Sequence, residues 1–501
     1  MNDIKEIISL LQNPTKEDIT LIQKAHDFVQ KAHEGHVRNN DEPYFSHLFS
    51  TAKNIAELGM GATTIAAGFL HDSIEDAKVT PKEIEKEFGK EILFLVEGVT
   101  KLGKIKYRGT TRYNESLRKL FMAMSQDIRV LIIKLCDRLH NMQTLEYVSK
   151  EKQLRIAKET LEIYAPIAYR LGIKKLQRDL EDLAFAYVYP KDFEEIKKIL
   201  KNKKEEVEDH LEKFEKSLKK ELAKNNITNF HIDHRVKSLF SLYKKLQKYE
   251  GDVEIIYDIS ALRIIVPEIP DCYKVLGIIH GMWRPLPGRI KDYIASPKLN
   301  GYRSIHTTIF TGDGGIIEVQ IRTEDMHKEA EFGIASHVSY KYGLKEKTTN
   351  PNLVWLRNIL PGRSSLDSKS DSESSTNDVP GWIKELVEYQ KEAGEEFLDN
   401  VKNDFFEERI FVFTPIGDVI DLPKDSSVID FAYAIHTDIG NHMSGAKVNG
   451  KFMAIDTILR NGDRVEIETK KSAKPSQRWL ESCKTTLAKR HIRNELENNK
   501  K

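Results

Sequence analysis

The spacing of apolar residues changes period near residue 228, and this change divides the chain into regions that cannot share one architecture. Up to about residue 190, apolar positions recur at helical spacing, as in Ile128, Leu131, Ile132, Leu135 and Leu139. Turn signals at Asn13-Pro14 and Thr80-Pro81 separate the segments. The run from Thr80 to Glu83 matches a capping box with proline at the first helical position. Beyond residue 228, segments 261–266 and 316–322 read as strands with helices between them, an α+β region running to about 345. The intervening stretch is rich in Lys and Glu, with Leu200, Val207, Leu211, Phe214, Leu218 and Leu222 on one stripe, and is expected to be a solvated amphipathic linker helix.

The later part of the chain divides again. Residues 364–377 are serine-rich and polar, as expected for a mobile connector without a core. From residue 407 to 470, alternating Phe411, Val412 and Phe413 and a turn at 415–418 suggest a compact β-rich module of ubiquitin-like size. The remainder, with Arg478, Lys484, Lys489, Arg490 and Arg493, reads as a basic helical tail. The expected divisions are therefore 1–190, 191–227, 228–345, 346–406, 407–470 and 471–501. A chain of 501 residues exceeds one core and agrees with several domains.

One segment carries most of the chemistry. If residues 69–77 are helical, His71 faces Glu75 and Asp72 faces Asp76, because residues four apart share a face. An imidazole and three carboxylates so arranged repel one another unless protons or a cation neutralise them, and a divalent metal is the simplest neutraliser. His47 and Asp137 fit as further ligands. Two imidazoles and two carboxylates suit Mn, Fe or Zn better than Ca or Mg. Such a metal lowers the pKa of bound water and polarises a phosphoryl oxygen, leaving Glu75 and Asp76 to orient the water or move its proton.

A second cluster is cationic. Arg235, Lys237, Lys244 and Lys245 surround Ser238 and Ser241, and further basic segments lie at 287–293 and 297–306. On the expected strand 316–322, Glu318, Gln320 and Arg322 share one face and Ile317, Val319 and Ile321 the other. Several cations with two separated carboxylates, Asp258 and Glu318, suit a nucleotide-phosphate site with Mg. No Gly-x-x-x-x-Gly-Lys-Ser/Thr loop is present, which disfavours a P-loop ATPase.

The wording of these segments carries a resemblance. His47, His71-Asp72 and Asp137, with Glu75-Asp76, resemble the HD phosphohydrolase superfamily. Segments 33–38, 42–44 and 137–142 look like the hydrolase domain of RelA/SpoT proteins, which cleave ppGpp and pppGpp. Segments 288–294, 300–308 and 318–323 resemble the synthetase domain of the same family, which transfers pyrophosphate from ATP to the 3′-hydroxyl of GDP or GTP. Arg289-Ile-Lys291-Asp292 matches the form found with bifunctional members.

The resemblance implies a multidomain protein: an all-α HD-type hydrolase domain, an α+β nucleotidyltransferase-like synthetase domain and a small β-grasp-like TGS domain. It implies that Arg38, Asn141 and Thr144 line the hydrolase's nucleotide pocket, with Mn²⁺ at its metal site. It implies Mg²⁺ on Asp258, with Glu318 as second ligand or base, and guanine stacking on Tyr302. Arg235, Lys237, Ser241, Arg289, Lys291, Lys298, Asn300, His306 and Gln320 complete the implied nucleotide contacts. Leu48 in place of a usual Pro, and Val338 in place of a usual Trp, depart from the pattern.

Residues 407–470 resemble a TGS domain, which in long family members senses the tRNA acceptor end on the ribosome, and His436 is the implied RNA contact. Long members continue into helical, cysteine-rich and ACT domains, so this chain is expected to be a long-form protein without that far C-terminal part. The formal net charge of +1 excludes a general nucleic-acid coat protein. Cys136, Cys272 and Cys483 stand too far apart in sequence for a ligand pair or a disulfide framework. With no signal-peptide pattern and no apolar run of roughly 18 residues, a cytoplasmic enzyme without membrane contact is expected. The alternatives are a hydrolase with a silent synthetase domain, or a tRNA- or ribosome-binding nucleotide sensor.

Overall fold

The computed structural model describes residues 3–11, 13–103, 127–253, 256, 259–298, 301–312, 314–333, 335 and 409–498. Those up to 335 belong to one compact unit, and residues 409–498 belong to another. Asp258, Asn300, Val338 and the connector 346–406 lie outside the described residues.

The first part is helical, as its apolar period requires. Thr15 and Asp18 form a reciprocal capping box at the start of helix Lys16–Ala32. Thr80 and Glu83 do the same at the start of helix Pro81–Gly103. Helix Ala62–Leu70 is apolar on every side and buried along most of its length. Gly68 lets it lie close to helix Phe45–Glu57, since a Cβ there would fall 2.3 Å from Ile55 Cδ1.

The second part is a five-stranded sheet. Its strands are β1 (His231–Val236), β2 (Ser260–Val266), β3 (Lys291–Asp292), β4 (Ile305–Phe310) and β5 (Ile316–Thr323), in the order β1-β2-β5-β4-β3. Only β2 and β5 run parallel, with helix Ile269–Met282 in the connection between them. Ile317, Val319 and Ile321 enter the core, as the two-residue period predicts.

Helix Pro190–Lys224 differs from the expected solvated linker. Leu211, Phe214, Leu218 and Leu222 belong to the core under the sheet, and Ile196 belongs to a neighbouring cluster with Phe185, Leu242 and Leu246. The apolar stripe was visible in sequence, but the surface it covers is assembled from distant strands.

Helix Lys174–Val188 joins the helical part to the sheet part. Its residues 174, 178 and 182 fall on one face at four-residue spacing. Lys174 reaches Tyr302. Arg178 bonds Glu331 at 2.7 Å. The Asp182 carboxylate accepts from the backbone N–H groups of Leu239 and Phe240 at 3.2 and 2.9 Å, capping helix Leu239–Lys248. Leu176, Leu180 and Ala184, by contrast, are buried apolar positions. Near the start of this helix, Gly333 (φ 52°) comes so close that a Cβ would lie 2.3 Å from the Leu171 carbonyl oxygen.

In the second unit, β6 (Arg409–Phe413) pairs with β7 (Val419–Pro423). A three-stranded sheet has the order β10-β8-β9, from β8 (Met443–Val448), β9 (Lys451–Met453) and β10 (Val465–Thr469). A parallel bridge between Phe413 and Arg464 links the two. The expected basic tail is not a separate appendage. Cys483, Ala488 and Ile492 pack into this module's core, and buried Asp430 accepts from the backbone N–H groups of Lys484 and Thr485.

Candidate active sites

The helical part brings ligand atoms of His47, His71 and Asp137 within 4.8 Å of one another, with Asp72 beside the two histidines. His47 comes from helix Phe45–Glu57 and Asp137 from helix Ile128–Gln143. His71 and Asp72 come from the turn after helix Ala62–Leu70. Asp72 Oδ2 lies 3.1 Å from His71 Nε2 and 3.5 Å from His47 Nε2. Asp137 Oδ1 lies 3.3 Å from His47 Nε2 and 3.8 Å from His71 Nε2.

The condition of one continuous helix over residues 69–77 is not met. Helix Ala62–Leu70 ends, and a separate turn of helix covers Ser73–Asp76. At the break His71 has φ −57° and ψ −34° and Asp72 has φ −100° and ψ 0°, so the backbone stays near helical values through it. Glu75 and Asp76 sit exposed on the short helix, yet the Asp76 N–H still donates to the Asp72 carbonyl at 2.9 Å, which leaves Asp72 and Asp76 on one face.

The cluster's chemistry fits a divalent metal. His71 Nδ1 is 2.8 Å from the Gly68 carbonyl oxygen, which can only accept, so Nδ1 carries the hydrogen. His71 Nε2 is buried without a hydrogen-bond partner and faces the two carboxylates. Burial lowers the pKa of this imidazole, but Asp72 and Asp137 override it and carry it up to about 10. Both carboxyls lie well below their usual range although burial opposes this. His71 is the largest opposing influence on Asp72, and Lys134 is the largest on Asp137. A cation among the four would take the place of the extra proton and coordinate the orphaned Nε2.

Around this centre, Tyr44 Oη lies 2.9 Å from Asp72 Oδ2 and 2.6 Å from Asp76 Oδ2. Its ring stacks on His33 at 5.1 Å. Arg38 donates to Asn141 Oδ1 at 2.7 Å and to Thr144 Oγ1 at 3.3 Å, which brings together the three residues expected to line a nucleotide pocket. Asn141 in turn donates to Asp137 Oδ1 at 2.6 Å. The sequence reading missed Tyr44 as a participant, although it named the Glu42–Tyr44 segment. It also missed His140, whose ring is 3.1 Å from Arg38 and 2.8 Å from His47.

The sheet carries the second site on the face opposite its core, a cleft of about 360 Å³. Arg235, Lys237, Arg289, Lys291, Lys298, Tyr302, His306, Glu318 and Gln320 all line it. Strand pairing sets their spacing: Arg235 faces Ala261, Ala261 faces Glu318, and His306 faces Gln320. Glu318 Oε1 is 3.0 Å from His306 Nδ1 and accepts from Gln320 at 2.9 Å. Arg235 donates to Gln320 at 3.1 Å, and Tyr302 Oη is 2.8 Å from His306 Nε2.

Ser241 is absent from the described lining and accepts a hydrogen bond from Ser238 at 2.7 Å. Lys174 does line the cleft, and nothing in its local sequence foretold that. Burial, and then Arg235 and Lys298, hold its ammonium well below the usual lysine range. Burial and the neighbouring cations Lys291 and Arg235 also lower Lys298. Among the described lining residues, seven are Lys or Arg and Glu318 is the one carboxylate, an imbalance suited to a polyanion.

In the C-terminal unit, His436 is exposed at the end of helix Val428–Ile435, and its Nδ1 accepts from the Asp438 backbone N–H at 3.1 Å. Among the described residues, no helix is long and apolar enough to cross a membrane.

Three family models match the chain: an HD domain over residues 25–174, a region found in RelA/SpoT proteins over 234–345, and a TGS domain over 410–469. The chain is 42% identical to the GTP pyrophosphokinase of Myxococcus xanthus, covering 95% of this chain and 60% of that protein. It is 41% identical to a probable guanosine-3′,5′-bis(diphosphate) 3′-pyrophosphohydrolase of Synechocystis sp., covering 96% and 61%. It is also 41% identical to the guanosine-3′,5′-bis(diphosphate) 3′-pyrophosphohydrolase of Aquifex aeolicus, covering 98% and 66%. The chain thus spans about 60–66% of the length of these relatives.

Proposed function

The chain belongs to the RelA/SpoT family, and on that footing we propose that it is a bifunctional alarmone enzyme. The helical part hydrolyses the 3′-pyrophosphate of ppGpp or pppGpp, giving GDP or GTP and pyrophosphate. The sheet part makes the same compounds from ATP and GDP or GTP. The observation that carries this reading is the presence of two separate polar centres in one unit, one fit for a divalent metal and one lined by cations around Glu318.

In the hydrolase site, His47, His71, Asp72 and Asp137 would hold Mn²⁺. When bound, the metal would supply Lewis acidity towards the phosphoryl oxygen and make water more acidic. Glu75 and Asp76 take the proton of the attacking water, and Tyr44 holds Asp76 in reach of the centre. Arg38, Asn141 and Thr144 orient the guanosine nucleotide.

In the synthetase site, Arg235, Lys237, Arg289, Lys291 and Lys298 bind the triphosphate of ATP and the 5′-phosphates of the acceptor. Glu318, with Asp258, would take Mg²⁺, or Glu318 would serve as base for the 3′-hydroxyl. Its contacts with His306 and Gln320 fix the carboxylate. Tyr302 stacks on guanine, and Asn300 belongs to the same nucleotide contacts. Lys174 covers that ring here, so stacking would require the lysine to move aside. His436 is proposed to contact tRNA on the ribosome.

A paired assay tests the proposal. The purified chain is incubated with ATP, GDP and Mg²⁺, and separately with ppGpp and Mn²⁺, and the nucleotides are resolved. Product in both tubes is expected. Hydrolysis alone would leave a hydrolase with a silent synthetase domain, and failure of both would replace the enzyme reading with that of a nucleotide sensor.

A further inference from the structure

His140 lies between the metal cluster and the nucleotide-binding arginine and belongs to neither set. It comes from helix Ile128–Gln143, one turn beyond Asp137, and is buried. Its Nδ1 is 3.1 Å from Arg38 Nη1 and 2.8 Å from His47 Nδ1. A guanidinium nitrogen can only donate, so His140 Nδ1 must be an acceptor. The contact with His47 then has one polarity: His47 Nδ1 carries the hydrogen and donates it to His140. This leaves the lone pair of His47 on Nε2, the atom that faces Asp72 and Asp137.

We propose that His140 is a positioning residue that fixes His47 in its metal-binding tautomer and ties that tautomer to Arg38. The inference rests on the reading of the His47–His71–Asp72–Asp137 cluster as a metal centre, and it adds a role for a side chain outside that cluster. Metal-ligating histidines depend on what their second ring nitrogen meets, and loss of that partner weakens metal binding by about 10–100-fold. In most such sites the partner is a carboxylate or a carbonyl. Here it is a second imidazole, and that imidazole can accept from His47 only as its Nε2–H tautomer. Arg38 enforces this tautomer because its own N–H also needs an acceptor at Nδ1. Arg38 is further held by Asn141 and Thr144, so the chain of contacts runs from the expected nucleotide pocket to the metal ligand without a gap.

The test measures Mn²⁺ affinity of the full, nucleotide-free chain by electron paramagnetic resonance, which reads the free ion and needs no turnover. His140→Phe keeps a ring and removes the acceptor, whereas His140→Asn removes the ring and keeps an acceptor. We expect His140→Phe to weaken Mn²⁺ binding about 10–100-fold and His140→Asn to lie closer to the parent chain than to the Phe variant. A purely packing role predicts the reverse order, with Asn worse than Phe, and that result would overturn the inference, as would three equal affinities. Should the Phe variant fail to fold, His140→Gln against His140→Leu makes the same comparison. If the parent chain itself binds no Mn²⁺ at this cluster, the metal-centre reading fails and this inference falls with it. That outcome is recognisable because it appears before any substitution.

Discussion

The Lys174 ammonium sits 3.3 Å from the centroid of the Tyr302 ring. The lysine belongs to helix Lys174–Val188, and the tyrosine lines the cationic cleft of the sheet. Tyr302 is only 4% exposed, so a base cannot stack on it while that contact stands. The ammonium lies near Arg235, Lys298 and Arg322, all of which oppose its charge. A desolvated cation–π contact contributes about 1–2 kcal/mol, and with Glu331 it offsets this repulsion. We expect Lys174→Ala to lower the KM for GDP in the synthetic direction by about 3- to 10-fold, with hydrolysis little changed. Steady-state synthesis at varied GDP checks this, and a raised KM would mean that Lys174 binds substrate.

Tyr44 spans Asp72 and Asp76 with one hydroxyl. Hydrogen bonds to charged groups contribute about 1.5–3 kcal/mol. Tyr44→Phe is expected to cut the hydrolytic kcat by about tenfold or more while leaving synthesis within twofold or so of the parent value. Nucleotide chromatography in each direction measures both, and an equal loss in both would point to a general folding defect.

Glu331 collects several cations at the junction. Arg178 is at 2.7 Å, Arg322 at 3.3 Å and Arg263 at 3.4 Å. Burial raises its pKa, but these arginines override burial and bring it down to about 2. The sign follows from the folded value lying below the unfolded one. The stabilisation is fully present above about pH 4.5 and is lost as pH falls from there through about 2. The shift corresponds to roughly 3 kcal/mol. The stability difference between the parent chain and Glu331→Gln should therefore be constant from pH 7 to about 5.5 and shrink below about 4.5. Urea midpoints across that range test it, and a difference that grew on acidification would contradict the charge balance drawn here.

Gly333 admits no side chain. A Cβ would lie 2.3 Å from the Leu171 carbonyl oxygen and 2.4 Å from the Gly172 carbonyl carbon, and both are backbone atoms that cannot rotate away. Its positive φ adds a second obstacle. Gly333→Ala is expected to destabilise the chain by about 1–3 kcal/mol or more, readable as a lowered Tm. An unchanged Tm would mean that the junction yields easily.

Much of both sites was legible in the sequence, for a physical reason. Metal and phosphate chemistry restrict residue types strongly, so His47, His71, Asp137, Glu318 and the cations of the cleft stood out one by one. The alternation at 316–322 likewise assigned Ile317, Val319 and Ile321 to the core, because a strand has one period and two faces. What the sequence did not show was continuity: helical periodicity cannot detect that one helix ends at Leu70 and another begins at Ser73. Partnership over distance was also invisible. Lys174 is an ordinary lysine at a helix start until Tyr302, 128 positions away in the numbering, folds beneath it. His140 likewise gains a role only from the rings that meet it.

The helix Pro190–Lys224 has a bearing on how this chain can be cut. On paper it is the obvious place for scissors, charged and lying between two recognisable halves. In three dimensions it is the floor of the sheet, through Leu211, Phe214, Leu218 and Leu222. Its neighbour, helix Lys174–Val188, lends Phe185 to the cluster around Leu242 and Leu246. A fragment begun at residue 228 would put a greasy sheet face into water and should aggregate. A fragment ended at 190 would keep the strut and lose what it props. Modularity of the written sequence and modularity of folding are different properties here, and a researcher wanting one activity without the other should silence a site by substitution and leave the backbone whole.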